Sequence, residues 1–168
     1  QPNGGKSLFA MFAAIKMQVP TLFISADTDE ATMRIRAAAC LTQTECKEIE
    51  EMMQTSASTI VDHEMERLDE FMFWCWNPSP SMEDIEEEIL AVDEVLGYYP
   101  HLLVIDNLMN LRSGSDNEWQ EMRANMQHLH TLARTIDACI LVLHHVSEND
   151  SRPFIPPKRA AVQGKVNQ

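Results

Sequence analysis

No apolar run in this chain approaches the roughly 18 residues that a membrane-spanning helix requires. No N-terminal stretch has the build of a signal peptide either, so membrane insertion and export are both disfavoured. The four cysteines, at positions 40, 46, 75 and 139, form no CxxC pair and lie in or beside apolar segments. That spacing excludes a zinc knuckle or a disulfide framework, and the expectation is reduced, buried thiols of a cytoplasmic protein. Positive charge is scarce, with 13 Lys and Arg against 26 Asp and Glu and a net charge of −13. The acid gathers in residues 45–51, 62–70 and 83–88, which rules out a surface coated in nucleic acid. Internal repeats and domain boundaries are also missing. With 168 residues, 45% hydrophobic and 23% charged, the chain suits one globular domain over 1–168 with a sizeable core.

One local exception to the acidity stands near the end. Arg152, Lys158, Arg159 and Lys165 occur with no acidic residue among them, in a stretch punctuated by Pro153, Pro156 and Pro157. Such a run is a candidate contact for nucleic-acid phosphates. A solvated basic linker has the same composition.

The hydrophobic pattern indicates alternating strands and helices. SLFAMFAAIKM (7–17) reads as a buried helix beginning at a Gly-Lys-Ser, and TLFIS (21–25) as a short buried strand. A helix follows, with Asp27 or Thr28 able to cap it and Asp29 and Glu30 in its first turn. Residues 43–70 read as one or two acidic amphipathic helices and 71–76 as an aromatic strand. Ser81 with Asp84 resembles a capping box for a helix over 82–96 that ends at Gly97. HLLVID (101–106) is a buried strand ending in an acid, 107–117 a polar loop, 118–136 an amphipathic helix and 138–146 another buried strand. Alternation of this kind predicts an α/β layer fold with a mostly parallel sheet.

Phosphate-handling groups recur at the ends of these strands. QPNGGKS carries the close of a G-x-x-x-x-G-K-[ST] loop, in which backbone N–H groups and the helix start wrap phosphate. There Lys6 would reach the β- and γ-phosphates and the Ser7 hydroxyl would bind Mg²⁺. Asp106 ends a buried strand, a place where an aspartate holds Mg²⁺ through water and also a common turn position. Asp27 follows another strand, either as a water-aligning carboxylate or as a helix cap. His144 and His145 follow a third, either as γ-phosphate contacts or as satisfied histidines near the core. Four strand or loop ends carrying such groups point to a nucleotidase.

In motif order the chain resembles the ATPase core of RecA-like motor proteins, most closely the DnaB-like replicative helicases. QPNGGKS is similar to that family's phosphate loop, including its internal proline. The resemblance gives Pro2, Asn3, Gly4, Gly5, Lys6, Ser7 and Leu8 as nucleotide-binding residues. TLFISADTD resembles the strand that ends at the catalytic glutamate, whose place falls to Asp27, and Arg36 takes the place of an arginine on the next helix. LLVIDNLMNL resembles the magnesium-binding strand and first DNA-facing loop, giving Asp106 and Asn107, with Arg112 further along that loop. ILVLHHV resembles the strand whose last polar residue senses the γ-phosphate, usually Gln and here His145. The His-His pair is nearer to the plasmid helicase branch known as RepA, which implies a phage or plasmid protein working in a bacterial cytoplasm. AVQGKVNQ resembles the segment after the second DNA-facing loop, through Gly164 and Gln168.

The resemblance implies ATP and Mg²⁺ as cofactors, single-stranded DNA as partner and a homo-oligomeric, hexameric ring. It implies Lys6, Asp27 and His145 as catalytic, Ser7 and Asp106 as metal ligands, and Arg112, Arg152, Lys158, Arg159 and Lys165 as DNA contacts. Asp27 is a methylene shorter than glutamate, so it acts through a shifted water or cedes the base role to Asp29. The family's first strand, first loop glycine and the later strands with the arginine finger have no counterpart, so the expected chain is a core fragment cut at both ends. A recombinase or clock-type ATPase shares the same motifs, and an inactive assembly module shares the same fold.

Overall fold

The structure is a computed structural model that describes residues 5–54, 59–111 and 118–144. Four strands, β1 (Thr21–Ser25), β2 (Met72–Cys75), β3 (Leu102–Asp106) and β4 (Cys139–Val142), form one sheet in the order β2-β1-β3-β4. Every pairing is parallel, with Ser25 opposite Asp106 and Ile105 opposite Val142. Helices cover both faces: α1 (Lys6–Met17), α2 (Glu30–Thr42), α3 (Cys46–Met53) and α4 (Thr59–Asp69) on one, α5 (Met82–Leu96) and α6 (Glu118–Thr135) on the other.

Strand periodicity produces this layering. Phe23, Leu102 and Val104 point into the α1–α4 core, while Leu22, Ile24, Leu103 and Ile105 point into the α5–α6 core. A strand buried on both faces has no polar side to alternate with, which is why TLFIS and LLVID are nearly continuous apolar runs. Each such Leu or Ile contributes about 1.5–3 kcal/mol by leaving water.

Local signals account for several boundaries. At α5, Ser81 and Asp84 form the expected capping box, and Gly97 closes the helix at φ 79°. At α2 the expectation shifts by one or two residues. Asp29, not Asp27 or Thr28, is the cap: one carboxylate oxygen accepts from the Thr32 amide at 3.0 Å and the other from the Thr32 hydroxyl at 2.8 Å. These bonds, the amide's first, hold the Asp29 carboxyl below the usual carboxylate range. The Ser25 hydroxyl donates to the Thr28 carbonyl at 2.7 Å, which closes a turn over 25–28 and leaves Asp27 ahead of the helix.

The acidic segment holds two helices, α3 and α4, of the one or two expected. Three other expectations need correction. The strand expected over 138–146 ends at Val142, because the Leu143 carbonyl accepts from the Leu108 amide at 2.9 Å rather than continuing the ladder. That strand is also only partly buried, with Cys139 exposed. The loop after β3 is not wholly polar: Leu108 and Leu111 are buried around a 3-10 turn at Leu108–Asn110.

The thiols likewise divide. All four are free, but Cys46 and Cys139 are exposed, Cys40 is half-buried and Cys75 is buried. Desolvation raises the pKa of Cys40 and Cys75. Under mildly alkaline iodoacetamide, followed by peptide mass spectrometry, Cys46 and Cys139 should be alkylated first and Cys75 last. Rapid labelling of Cys75 in the native protein would contradict its placement in the core.

Candidate nucleotide site

Because all four strands are parallel, their C-terminal ends share one edge of the sheet. Helix α1 runs back along the sheet into β1, so its N-terminus lies toward the same edge. Its 12 residues span about 18 Å, close to the roughly 16 Å of a five-residue strand. Sheet polarity thus gathers Gly5, Lys6 and Ser7 with Asp27, Asp106, Asn107 and His144.

The start of α1 differs from those of α2 and α5. No side chain caps it, no acid lies in its first turn, and Lys6 is its first residue. Elsewhere α2 begins at Asp29 and Glu30, and α5 at Ser81, Glu83 and Asp84. A lysine at the positive end of a helix dipole, with no acid in the first turn, does not favour the helix start. An anion bound there would be stabilised by both the ammonium and the dipole, as expected of a phosphate site. Gly5 sits at φ 70°, a conformation that costs an L-residue about 1–2 kcal/mol. Nothing lies within 4 Å of where its Cβ would be, so conformation rather than space favours glycine there.

The acids are set by the strand ends. Asp106 is 3% exposed at the last position of β3, and its carbonyl accepts from the Ala26 amide at 2.7 Å. That bond ties the segment leading to Asp27 to the end of β3. Asp27 itself is exposed, whereas Asn107 is 2% exposed. The Asn107 Nδ2 donates to the Asp27 Oδ2, and its Oδ1 accepts from the Met109 amide at 2.7 Å. The peptide bond between Asp106 and Asn107 is cis. His144 follows Leu143 just beyond β4 and is half-buried.

A hydroxyl and a carboxylate, Ser7 and Asp106, form a hard-oxygen donor set that fits Mg²⁺. Among the described residues no group of three or more His, Cys, Asp or Glu is arranged to hold a metal.

Arg36 is half-buried on α2. Its neighbour Arg34 reaches Asp69 at 3.4 Å and Glu30 at 3.8 Å. Pro2, Asn3, Gly4, Arg112, His145, Arg152, Lys158, Arg159, Gly164, Lys165 and Gln168 lie outside the described residues. The feature that sequence reasoning missed is the role of Asn107, placed there only as a loop residue. An asparagine just past a strand readily caps its own backbone two residues on, and that signal was present.

An all-parallel sheet between helical layers, with a glycine-led helix and two strand-end acids at one edge, is the RecA-like P-loop ATPase fold. Residues 1–151 match the AAA domain family, and the chain belongs to it. A solved ATPase domain superposes with a TM-score of 0.81 at 13% identity, covering 96% of this chain and 61% of that one. A DnaB-like replicative helicase, solved in a study of its interactions with primase, gives 0.78 at 15% identity, covering 97% and 43%. The gene 65 proteins of Mycobacterium phages L5 and D29 are 31% and 32% identical, each across 99% of this chain. The chain spans 63% and 73% of their respective lengths.

Proposed function

We propose that this chain is the ATP-hydrolysing motor core of a phage DNA helicase, acting on single-stranded DNA as a ring in the host cytoplasm. The observation that carries the reading is the Lys6-led, uncapped start of α1 at the sheet edge that also bears Asp27 and Asp106. The phage relatives and the fold shared with a DnaB-like helicase support it. No described helix is long and apolar enough to cross a membrane.

In this reading Pro2 to Leu8 cradle the phosphates, and Lys6 offsets charge that builds on them during transfer. Arg36 adds a second cation near the nucleotide. Ser7 and Asp106 would hold Mg²⁺, which screens the phosphate charge. Asp27 orients or deprotonates the attacking water, and His145 relays the state of the γ-phosphate to the chain beyond it. A neighbouring subunit in the ring completes each site.

The DNA contact must be local, because the molecule carries a net charge of −13. Arg152, Lys158, Arg159 and Lys165 are the sizeable run of unopposed positive charge, with Arg112 on the loop after β3 as a second contact. Replacing Lys158 and Arg159 with Ala should weaken single-stranded DNA binding regardless of base sequence. The slope of log affinity against log salt should flatten by roughly 0.7 for each phosphate that the variant no longer neutralises. DNA-free ATP binding should hardly change. Identical slopes for wild type and double variant would remove the tail from the reading and move the DNA-binding surface to the Arg112 loop.

A further inference from the structure

Asn107 is almost wholly buried, yet its carboxamide is used at both ends outside the core. The Nδ2 donates to the exposed Asp27 carboxylate, and the Oδ1 holds the Met109 amide at 2.7 Å. The turn it caps is anchored by the buried Leu108 and Leu111 and by the Asn110 side chain, which donates to the Pro78 carbonyl at 3.3 Å. Between those anchors Met109 stands 57% exposed. A planar carboxamide cannot tilt toward one partner without turning away from the other. Displacing the Met109 amide therefore rotates the group that fixes Asp27.

We propose that Asn107 is a positioning residue that orients Asp27 for hydrolysis and couples that orientation to the turn at 108–110. A strand pressing on Met109 would then alter turnover through Asn107 without touching nucleotide. The inference rests on the reading of Asp27 as the water-orienting acid, so Asp27 is tested alongside it.

Three variants of the full chain separate the possibilities. Asn107→Ala removes both hydrogen bonds. Asn107→Asp keeps an oxygen for the Met109 amide but replaces the donor facing Asp27 with a like charge. Asp27→Ala, at an exposed position, removes the acid. Steady-state ATPase rates, with and without oligo-dT, are measured beside Mg²⁺-ATP affinity and thermal unfolding.

Loosening a catalytic group by about an ångström costs up to roughly 100-fold. Both Asn107 variants should lose about 10- to 100-fold in kcat at nearly unchanged ATP affinity, with stimulation by oligo-dT falling toward unity. In the Asp27→Ala background, adding Asn107→Ala should cost no further turnover, since the two act as one unit. Wild-type kcat and stimulation in Asn107→Asp would overturn the proposal and leave Asn107 as a turn cap. A further loss in the double variant would also overturn it, and this arm decides even if Asn107→Ala is less stable alone. If Asp27→Ala turns over normally, the assignment of Asp27 itself fails, an outcome distinct from either.

Discussion

Lys6→Ala should reduce ATP hydrolysis by about 100-fold or more, the scale on which transition-state charge donors act in dry sites. Lys6 is the first residue of α1, ahead of amides with no side-chain cap and with no acid in the first turn. The helix start therefore carries positive potential without the side-chain cap and first-turn acids of α2 and α5. Removing the ammonium should raise the nucleotide Kd and lower kcat together, because the β- and γ-phosphates lose their main cation in ground and transition state alike. The helix itself should not suffer, since a lysine at its N-terminus opposes the dipole. Unchanged thermal unfolding with lost turnover is the expected pair of results. Full activity in this variant would dismiss the phosphate-loop assignment.

The acids should separate by step. Asp27→Asn should leave Mg²⁺-ATP affinity near wild type and slow hydrolysis by about 10²- to 10⁴-fold, the usual contribution of a positioned general base. Asp106→Asn should instead weaken the Mg²⁺ dependence, seen as a higher Mg²⁺ concentration at half-maximal rate, because the strand-end carboxylate loses its charge. Asp29→Asn is the control. Both Asp29 oxygens are engaged at Thr32 to begin α2, so its replacement should perturb the helix start and leave turnover close to normal. Loss of activity in Asp29→Asn with a normal Asp27→Asn would shift the base by two residues, and rate assays on the three variants at saturating ATP decide it.

Sequence by itself determined the elements and their order. The runs TLFIS and LLVID are nearly continuous in apolar residues because both faces of those strands are buried. The capping box at Ser81 and the glycine at 97 were legible because caps are local chemistry, complete within four residues of chain. Sheet order was not legible, since periodicity carries no information about which strands pair; the expectation that Lys6, Asp27 and Asp106 serve one site came from their places at strand and loop ends.

Tertiary structure decided what depends on distant partners. Asp27 and Thr28 were the expected caps, with Asp29 in the first turn, but Ser25 closes a turn onto Thr28 and Thr32 lies against Asp29, which is the cap. Cys139 lies in an apolar run like that of β3, yet it is exposed, because among the described residues β4 pairs on one side only. Asn107 and Asp27 are far apart in sequence. Only the register of β1 on β3, with Ser25 opposite Asp106, brings their side chains together. Caps and apolar runs are read over a few residues, whereas hydrogen bonds between strand ends exist only once the sheet has formed.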